Sequence, residues 1–258
     1  MINNNLHDAR HFKNTYKNNF LPFIIIDNFL QKTIAENVLV EISNFDKQFL
    51  NTSRDYIFAK NKFEKSRITD LGMYSQKLND YLISNSFQNF LRDLTGIKNL
   101  LVDDTFHGGG LHLGGKHSFL DLHTDFTYHP IKKYMKRELN ILIYLNRNWK
   151  KDYGGQLILK HKKTGKSIKI DPLFNRCVIM KTYDLSLHGY EPINFPDGLY
   201  RTSIAAYAYY PAKNQESNKS TQWFPENSGI LKKLFGRLWP TAVRIKGIFF
   251  GSSTSKNK

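Results

Sequence analysis

The chain has 258 residues, 40% of them hydrophobic and 14% aromatic, which suits one large domain and excludes a disordered or collagen-like chain. The formal net charge of +16 raises nucleic acid, membrane surfaces and acidic small molecules as partners, with solubilising surface lysine as the plain alternative. Cys177 is the single cysteine, which excludes an internal disulfide and a Cys-based zinc site and suits a reducing compartment.

Met1-Ile2-Asn3-Asn4-Asn5 carries no basic segment followed by an apolar run, so no secretory signal is visible. The apolar runs fall well short of the roughly 20 residues of a membrane helix. The expectation is a soluble, cytoplasmic protein. Residues 1–19 are polar and read as a loose arm. Phe20 to Ile26 reads as a short buried strand. Thr33-Ile34-Ala35-Glu36 has capping-box spacing, and Leu30, Ile34, Val38 and Ile42 recur at helical steps, predicting a helix over 33–45. Residues 50–70 show no decisive pattern. Leu78, Tyr81 and Leu82 mark a second helix. Phe87, Phe90, Leu91 and Leu94 mark a third, stopped by Gly96.

After Gly96 the texture changes. Gly108-Gly109-Gly110 and Gly114-Gly115 punctuate short segments. Strand-length runs follow at 138–147, 156–161, 167–170, 176–182 and 201–210, separated by turn residues. This predicts a mainly β fold with flanking N-terminal helices. The domain reading is an arm over 1–19, a single domain over 20–212 (helical support 20–99, β core 100–212) and a basic, partly amphipathic tail over 213–258. From 228 onward, Lys232, Lys233, Arg237, Arg244, Lys246, Lys256 and Lys258 interleave with apolar residues, with no acid among them. Three readings stand for this tail: a solvated amphipathic segment, an anchor to an anionic membrane surface, or a nucleic-acid contact.

The chemistry concentrates at Leu122-His123-Thr124-Asp125-Phe126. In a strand, positions i and i+2 share a face, so the His123 imidazole and the Asp125 carboxylate can converge on one point. His-x-Asp alone is a weak signal, and an exposed polar pair is its plain alternative. His188 follows 63 positions after Asp125 in Leu185-Ser186-Leu187-His188-Gly189, where a satisfied core histidine is the plain reading. Two His and one carboxylate on one face would make the facial triad of non-haem Fe(II) oxygenases. Arg201 opens a strand 13 positions later, and its guanidinium suits a carboxylate; Ser203 shares its face. Alternation gives the 138–147 strand an apolar face (Leu139, Ile141, Ile143, Leu145) and a face carrying Asn140, Leu142, Tyr144 and Asn146. The second face fits either a polar pocket or solvent.

His123-Thr124-Asp125, then Leu139 to Asn146 with Trp149, Gly154-Gly155-Gln156-Leu157, Ile170 to Arg176, His188 and Arg201-Thr202-Ser203 up to Tyr210 occur in an order that resembles the prolyl-4-hydroxylase-like branch of the 2-oxoglutarate/Fe(II) dioxygenases. The similarity covers about residues 100–212, and Leu21-Pro22-Phe23 with the next helix looks like that branch more weakly. The resemblance implies a double-stranded β-helix, a jelly-roll or cupin-like core. It implies His123, Asp125 and His188 as iron ligands and Arg201 as partner of the distal 2-oxoglutarate carboxylate, joined by Tyr144 and, by its shared face, Ser203. Fe(II), 2-oxoglutarate, O₂ and ascorbate as accessory reductant come with it, as does hydroxylation of a C–H bond with release of succinate and CO₂. One departure is Leu111-His112-Leu113-Gly114, where some relatives carry a Tyr. A protein prolyl residue is the first substrate reading and a small metabolite or sugar-linked molecule the second. A nucleic-acid demethylase or an inactive binding domain comes last, since the ligands and the Arg are present and no base-stacking platform is visible.

Several residues fit other readings less well. His107, His112, His117 and His129 are read as loop residues, with His112 the best placed to face a pocket. The glycines at 108–115 lack phosphate-loop spacing, and Ser186 lacks a Gly-x-Ser-x-Gly elbow.

Overall fold

The computed structural model of the chain describes residues 9–52, 57–212, 218–226, 228–236 and 238. Residues 1–8 of the expected arm and 213–217, 227, 237 and 239–258 of the expected tail lie outside the described residues.

Where a loose arm was expected, Arg10–Asn18 form a helix, α1. The segment is polar, but Phe12 and Tyr16 stand four positions apart on one face. Tyr16 is buried, and the Phe12 ring meets Phe90 edge-on at 6.1 Å. The other three helices lie where the periodicity puts them: α2 (Lys32–Asn44), α3 (Met73–Leu82) and α4 (Asn85–Thr95). The capping box at Thr33 does not form. Gln31 is the N-cap residue without a side-chain cap, and Glu36 instead pairs with Arg147 at 3.1 Å. At α4, the Phe87 N–H donates to the Ser84 hydroxyl, and Gly96 ends the helix at φ 80°, a conformation that favours glycine.

The strands are β1 (Phe23–Ile26), β2 (Asn51–Thr52), β3 (Ala59–Lys65), β4 (Leu101–Val102), β5 (Gly110–Thr124), β6 (Met135–Tyr144), β7 (Leu157–His161), β8 (Ser167–Ile170), β9 (Arg176–Lys181), β10 (Ser186–Tyr190), β11 (Arg201–Pro211) and β12 (Gln222–Trp223). They pair antiparallel in the order β1-β9-β6-β11-β5-β10-β7-β8, with β3 and β12 also on β5. Neighbours in the sheet come from distant parts of the chain, as in a jelly roll. The core is a double-stranded β-helix with helices at its N-terminal side.

The faces of β6 follow their sequence alternation. Leu139, Ile141 and Ile143 pack with Ile204, Ala206 and Ala208 of β11 and with the α2 and α4 side chains in one core. Cys177 is buried in that core, so burial pushes its thiol pKa up and leaves it a small apolar residue. The opposite faces of β6 and β11 turn toward a cavity.

The 108–115 glycines do not break the chain into short segments, because β5 runs unbroken for 15 residues. Its first part pairs with β11, from Arg201↔Gly114 to Ala205↔Gly110. Its last part pairs with β10 and β12, where His123 faces both His188 and Trp223. Between them Gly114, Gly115 and His117, at φ 60°, let the strand bend from one sheet to the other. Gly110 has φ +92°, and a Cβ there would lie 2.2 Å from the Lys65 carbonyl oxygen. The glycines therefore bend one strand and let β3 approach it.

Candidate metal and co-substrate site

His123 is the penultimate residue of β5, Asp125 lies just past the end of that strand after Thr124, and His188 sits in the middle of β10 opposite His123. Sheet register thus joins two positions 65 apart in sequence, with ring centroids 4.2 Å apart. One donor atom from each of His123, Asp125 and His188 lies within 4.8 Å of the others.

The geometry suits a shared cation better than direct pairing. The His123 Nε2–Asp125 Oδ1 and His188 Nε2–Asp125 Oδ2 separations are both 3.7 Å, too long for hydrogen bonds. The His123 Nδ1 lies 2.9 Å from the Asp121 carbonyl, which calls for Nδ1–H and leaves the Nε2 lone pair toward the cluster. Burial, reinforced by His123, lowers the His188 pKa to about 3, so its imidazole is neutral. Burial alone would raise Asp125, but Arg137, His188 and His123 outweigh it and hold the carboxyl well below the usual range. Two imidazoles and an ionised carboxylate are a suitable donor set for Fe(II).

The cluster opens into a cavity of about 590 Å³. Tyr144, Arg201 and Ser203 line the same cavity, along with Asn140, Leu142 and His112. Ser203 is the cross-strand partner of Tyr144. Arg201 is buried. Its Nε donates to the Gly155 carbonyl at 2.6 Å, its Nη2 donates to the Tyr144 hydroxyl at 3.3 Å, and its guanidinium lies 4.2 Å from the Tyr190 ring centroid. Tyr190 is held in turn by a 2.7 Å hydrogen bond with Ser118. Gly155, at φ +79°, fits against Arg201, whose Cδ would lie 3.0 Å from a Cβ there.

His112 is a strand residue facing the cavity, not a loop residue. Burial, then nearby Lys62, lowers its pKa to about 3. His117 is likewise a β5 residue rather than a loop residue, and it, His107 and His129 do not line the cavity. His129 is buried beside Asp103 at 3.3 Å, and its Nδ1 accepts from the Ile131 and Lys132 N–H groups, which shapes the loop after Asp125.

Arg137 was not foreseen. Its Nη1 meets Asp125 Oδ2 at 3.0 Å, and its Nε and Nη2 donate to the Tyr209 hydroxyl at 3.2 and 3.0 Å. Its guanidinium lies between the Phe126 and Tyr207 rings, 3.7 Å from each centroid. Strict alternation puts Arg137 on the apolar face with Leu139. On β11, however, Ala208 pairs with Leu139 and Tyr209 with Arg137, so Glu138 is an extra residue in β6. This bulge flips the phase and turns Arg137 inward. Arg137→Lys keeps the charge but loses the fork to Tyr209 and the ring stacking, a cost of about 1–2 kcal/mol. The thermal midpoint should fall by roughly 3–6 °C. An unchanged melting curve would show that the planar fork contributes nothing to stability.

Trp223 also escaped notice. Its ring lies 4.8 Å from His123 and stacks on Phe58 at 5.0 Å. It belongs to the stretch read as tail, yet β12 pairs with β5 beside a metal-ligand candidate. No local pattern marks this two-residue strand; only the pairing reveals it.

Residues 108–209 match the family model described as the 2OG-Fe(II) oxygenase superfamily. Among solved structures, the chain is similar to a prolyl hydroxylase from Trichoplax adhaerens in complex with a hypoxia inducible factor oxygen degradation domain peptide fragment. That match has a TM-score of 0.55 and 20% identity, and covers 80% of this chain and 92% of the other. A prolyl-4-hydroxylase from Pseudomonas putida matches with a TM-score of 0.59 and 12% identity over 80% of this chain and all of the other (100%). HygX from Streptomyces hygroscopicus, solved with nickel and 2-oxoglutarate bound, matches with a TM-score of 0.52 and 14% identity, covering 78% and 87%. At these identities the structural likeness speaks for the fold.

Proposed function

Through residues 108–209 the chain is a member of the 2OG-Fe(II) oxygenase superfamily, an oxidoreductase using Fe(II) and 2-oxoglutarate, and from that premise we propose that it hydroxylates a C–H bond of a substrate entering the 590 Å³ cavity. The carrying observation is that the His123/Asp125/His188 cluster and Arg201 face one cavity. In this reading His123, Asp125 and His188 hold the iron, which supplies the oxidising chemistry when bound. Arg201 receives the distal carboxylate of 2-oxoglutarate through its free guanidinium edge. Tyr144 accepts from Arg201 and keeps its own hydroxyl hydrogen to donate to the same carboxylate. Ser203 adds a second hydroxyl on that wall. Burial of these groups keeps water from competing for them.

For the substrate, a prolyl residue in a peptide comes first. Phe126, Tyr207 and Trp223 give the cavity an aromatic wall, and solved structures with a similar fold include prolyl hydroxylases. A small metabolite or sugar-linked molecule is the second reading. It is favoured by Lys62, Glu64, Ser220 and Thr221, which give the same cavity hydrogen-bonding groups suited to a hydroxylated molecule. The test is anaerobic purification with Fe(II), then succinate release from 2-oxoglutarate in air, with prolyl peptides, metabolites or oligonucleotides added. Stimulation by prolyl peptides with mass gain of one oxygen supports the first reading. Stimulation only by a small molecule or an oligonucleotide replaces it, and no 2-oxoglutarate binding at all overturns the co-substrate site.

A further inference from the structure

Residues 230–236 are helical, and residue 238 is helical as well. On this helix Ile230 is 85% exposed, Leu231 82%, Leu234 51% and Leu238 56%. At 100° per residue, these four side chains fall within an arc of roughly 100°. They are large aliphatic groups gathered on one stripe facing away from the core. Single exposed leucines are ordinary, but four on one stripe are not.

The other side of the helix is tied to the enzyme. Lys232 Nζ meets Asp121 Oδ2 at 2.7 Å, and its ammonium lies 4.9 Å from the Phe119 ring centroid. Phe235 stacks on Phe58 at 5.9 Å, and Phe58 in turn stacks on Trp223 of the cavity wall. Gly236 lies so close to the Trp223 carbonyl that a Cβ would approach its oxygen to 2.9 Å. The helix is thus held against the Trp223 wall of the oxygenase cavity with its aliphatic stripe outward.

Charge decides which occupant fits. Exposed Lys233 falls on the flank of the aliphatic arc. Residues 228–258 carry seven Lys and Arg and no Asp or Glu, within a chain of net charge +16. An aliphatic stripe flanked by Lys233, in a stretch whose composition is wholly basic, matches an anionic lipid surface, which offers apolar depth under a negatively charged plane. Among the described residues no helix is long and apolar enough to cross a membrane.

We propose that the aliphatic stripe of Ile230, Leu231, Leu234 and Leu238 docks the enzyme on an anionic membrane surface, with the oxygenase cavity held next to that surface. This does not depend on which substrate the enzyme hydroxylates.

The test is co-sedimentation of the full chain with vesicles of phosphatidylcholine alone or mixed equally with phosphatidylglycerol, at low and high salt. The wild type should partition onto the mixed vesicles at least about tenfold more strongly than onto neutral ones, and high salt should weaken the binding. L231E/L234E should lower that partition by at least about tenfold. Its 2-oxoglutarate turnover and melting curve serve as folding controls and should match wild type. No binding to the mixed vesicles overturns the proposal. Binding that the double variant leaves unchanged also overturns it, assigning the contact to the general positive charge. A wild-type dimer dissolved by the double variant would make a second copy of the chain the occupant instead.

Discussion

Replacing His123 with alanine lowers Fe(II)-dependent conversion of 2-oxoglutarate to succinate by more than about 100-fold. Changes to groups that merely support metal ligands cost about 10–100-fold, so removing a donor atom sets a larger loss. The remaining His188 and Asp125 would leave one imidazole and one carboxylate facing the cavity. The measurement is succinate at saturating Fe(II) and 2-oxoglutarate, alongside a Co(II) titration followed by its visible absorption. Both should fail together while the melting curve stays cooperative. A folded variant with undiminished succinate production would remove His123 from the metal site.

Replacing Arg201 with methionine raises the concentration of 2-oxoglutarate needed for half-saturation by about 30- to 4,000-fold. The figure follows from losing one partner of a buried charged pair, about 2–5 kcal/mol. Methionine keeps much of the packing against Tyr144 and Tyr190 but has no donor for a carboxylate. Comparison with 2-oxobutyrate, which lacks the distal carboxylate, separates charge recognition from general damage. The wild type should strongly prefer 2-oxoglutarate and the variant should lose that preference. A variant that retains the wild-type ratio would place the carboxylate partner elsewhere. Tyr144→Phe, which removes one neutral hydroxyl, should weaken binding by only about tenfold.

The cavity wall was legible because β6 and β11 run straight through their middle sections. Period-two alternation sorts Asn140, Leu142 and Tyr144 from Leu139, Ile141 and Ile143, and puts Arg201, Ser203, Ala205 and Tyr207 together. Three helices were legible from their buried stripes, and the end of α4 from Gly96. Arg137 was illegible because the bulge at Glu138 is defined by register against Tyr209, 72 positions away from Arg137. The continuity of β5 was hidden because its glycines, read locally, resemble loop punctuation. Their use in a bend appears only once β3, β10 and β11 are paired to the same strand. The first helix was overlooked because two apolar residues in a polar segment are a weak signal until Phe90 is there to receive one of them.

The basic C-terminal stretch shows the same division. Its composition was plain, but its attachment was not. Trp223 beside His123, and Lys232 on Asp121, need β5 already in place. The sequence by itself determined the helix-then-β order, the candidate His and Asp residues and the polar faces of two strands, because these depend on residue type and short periods. Only the tertiary structure decided that His123 faces His188, that Arg137 turns onto Asp125 and that the C-terminal helix presents its aliphatic stripe to solvent. Those outcomes depend on strand register, one extra residue in a ladder and packing between distant segments, none of which leaves a local period to read.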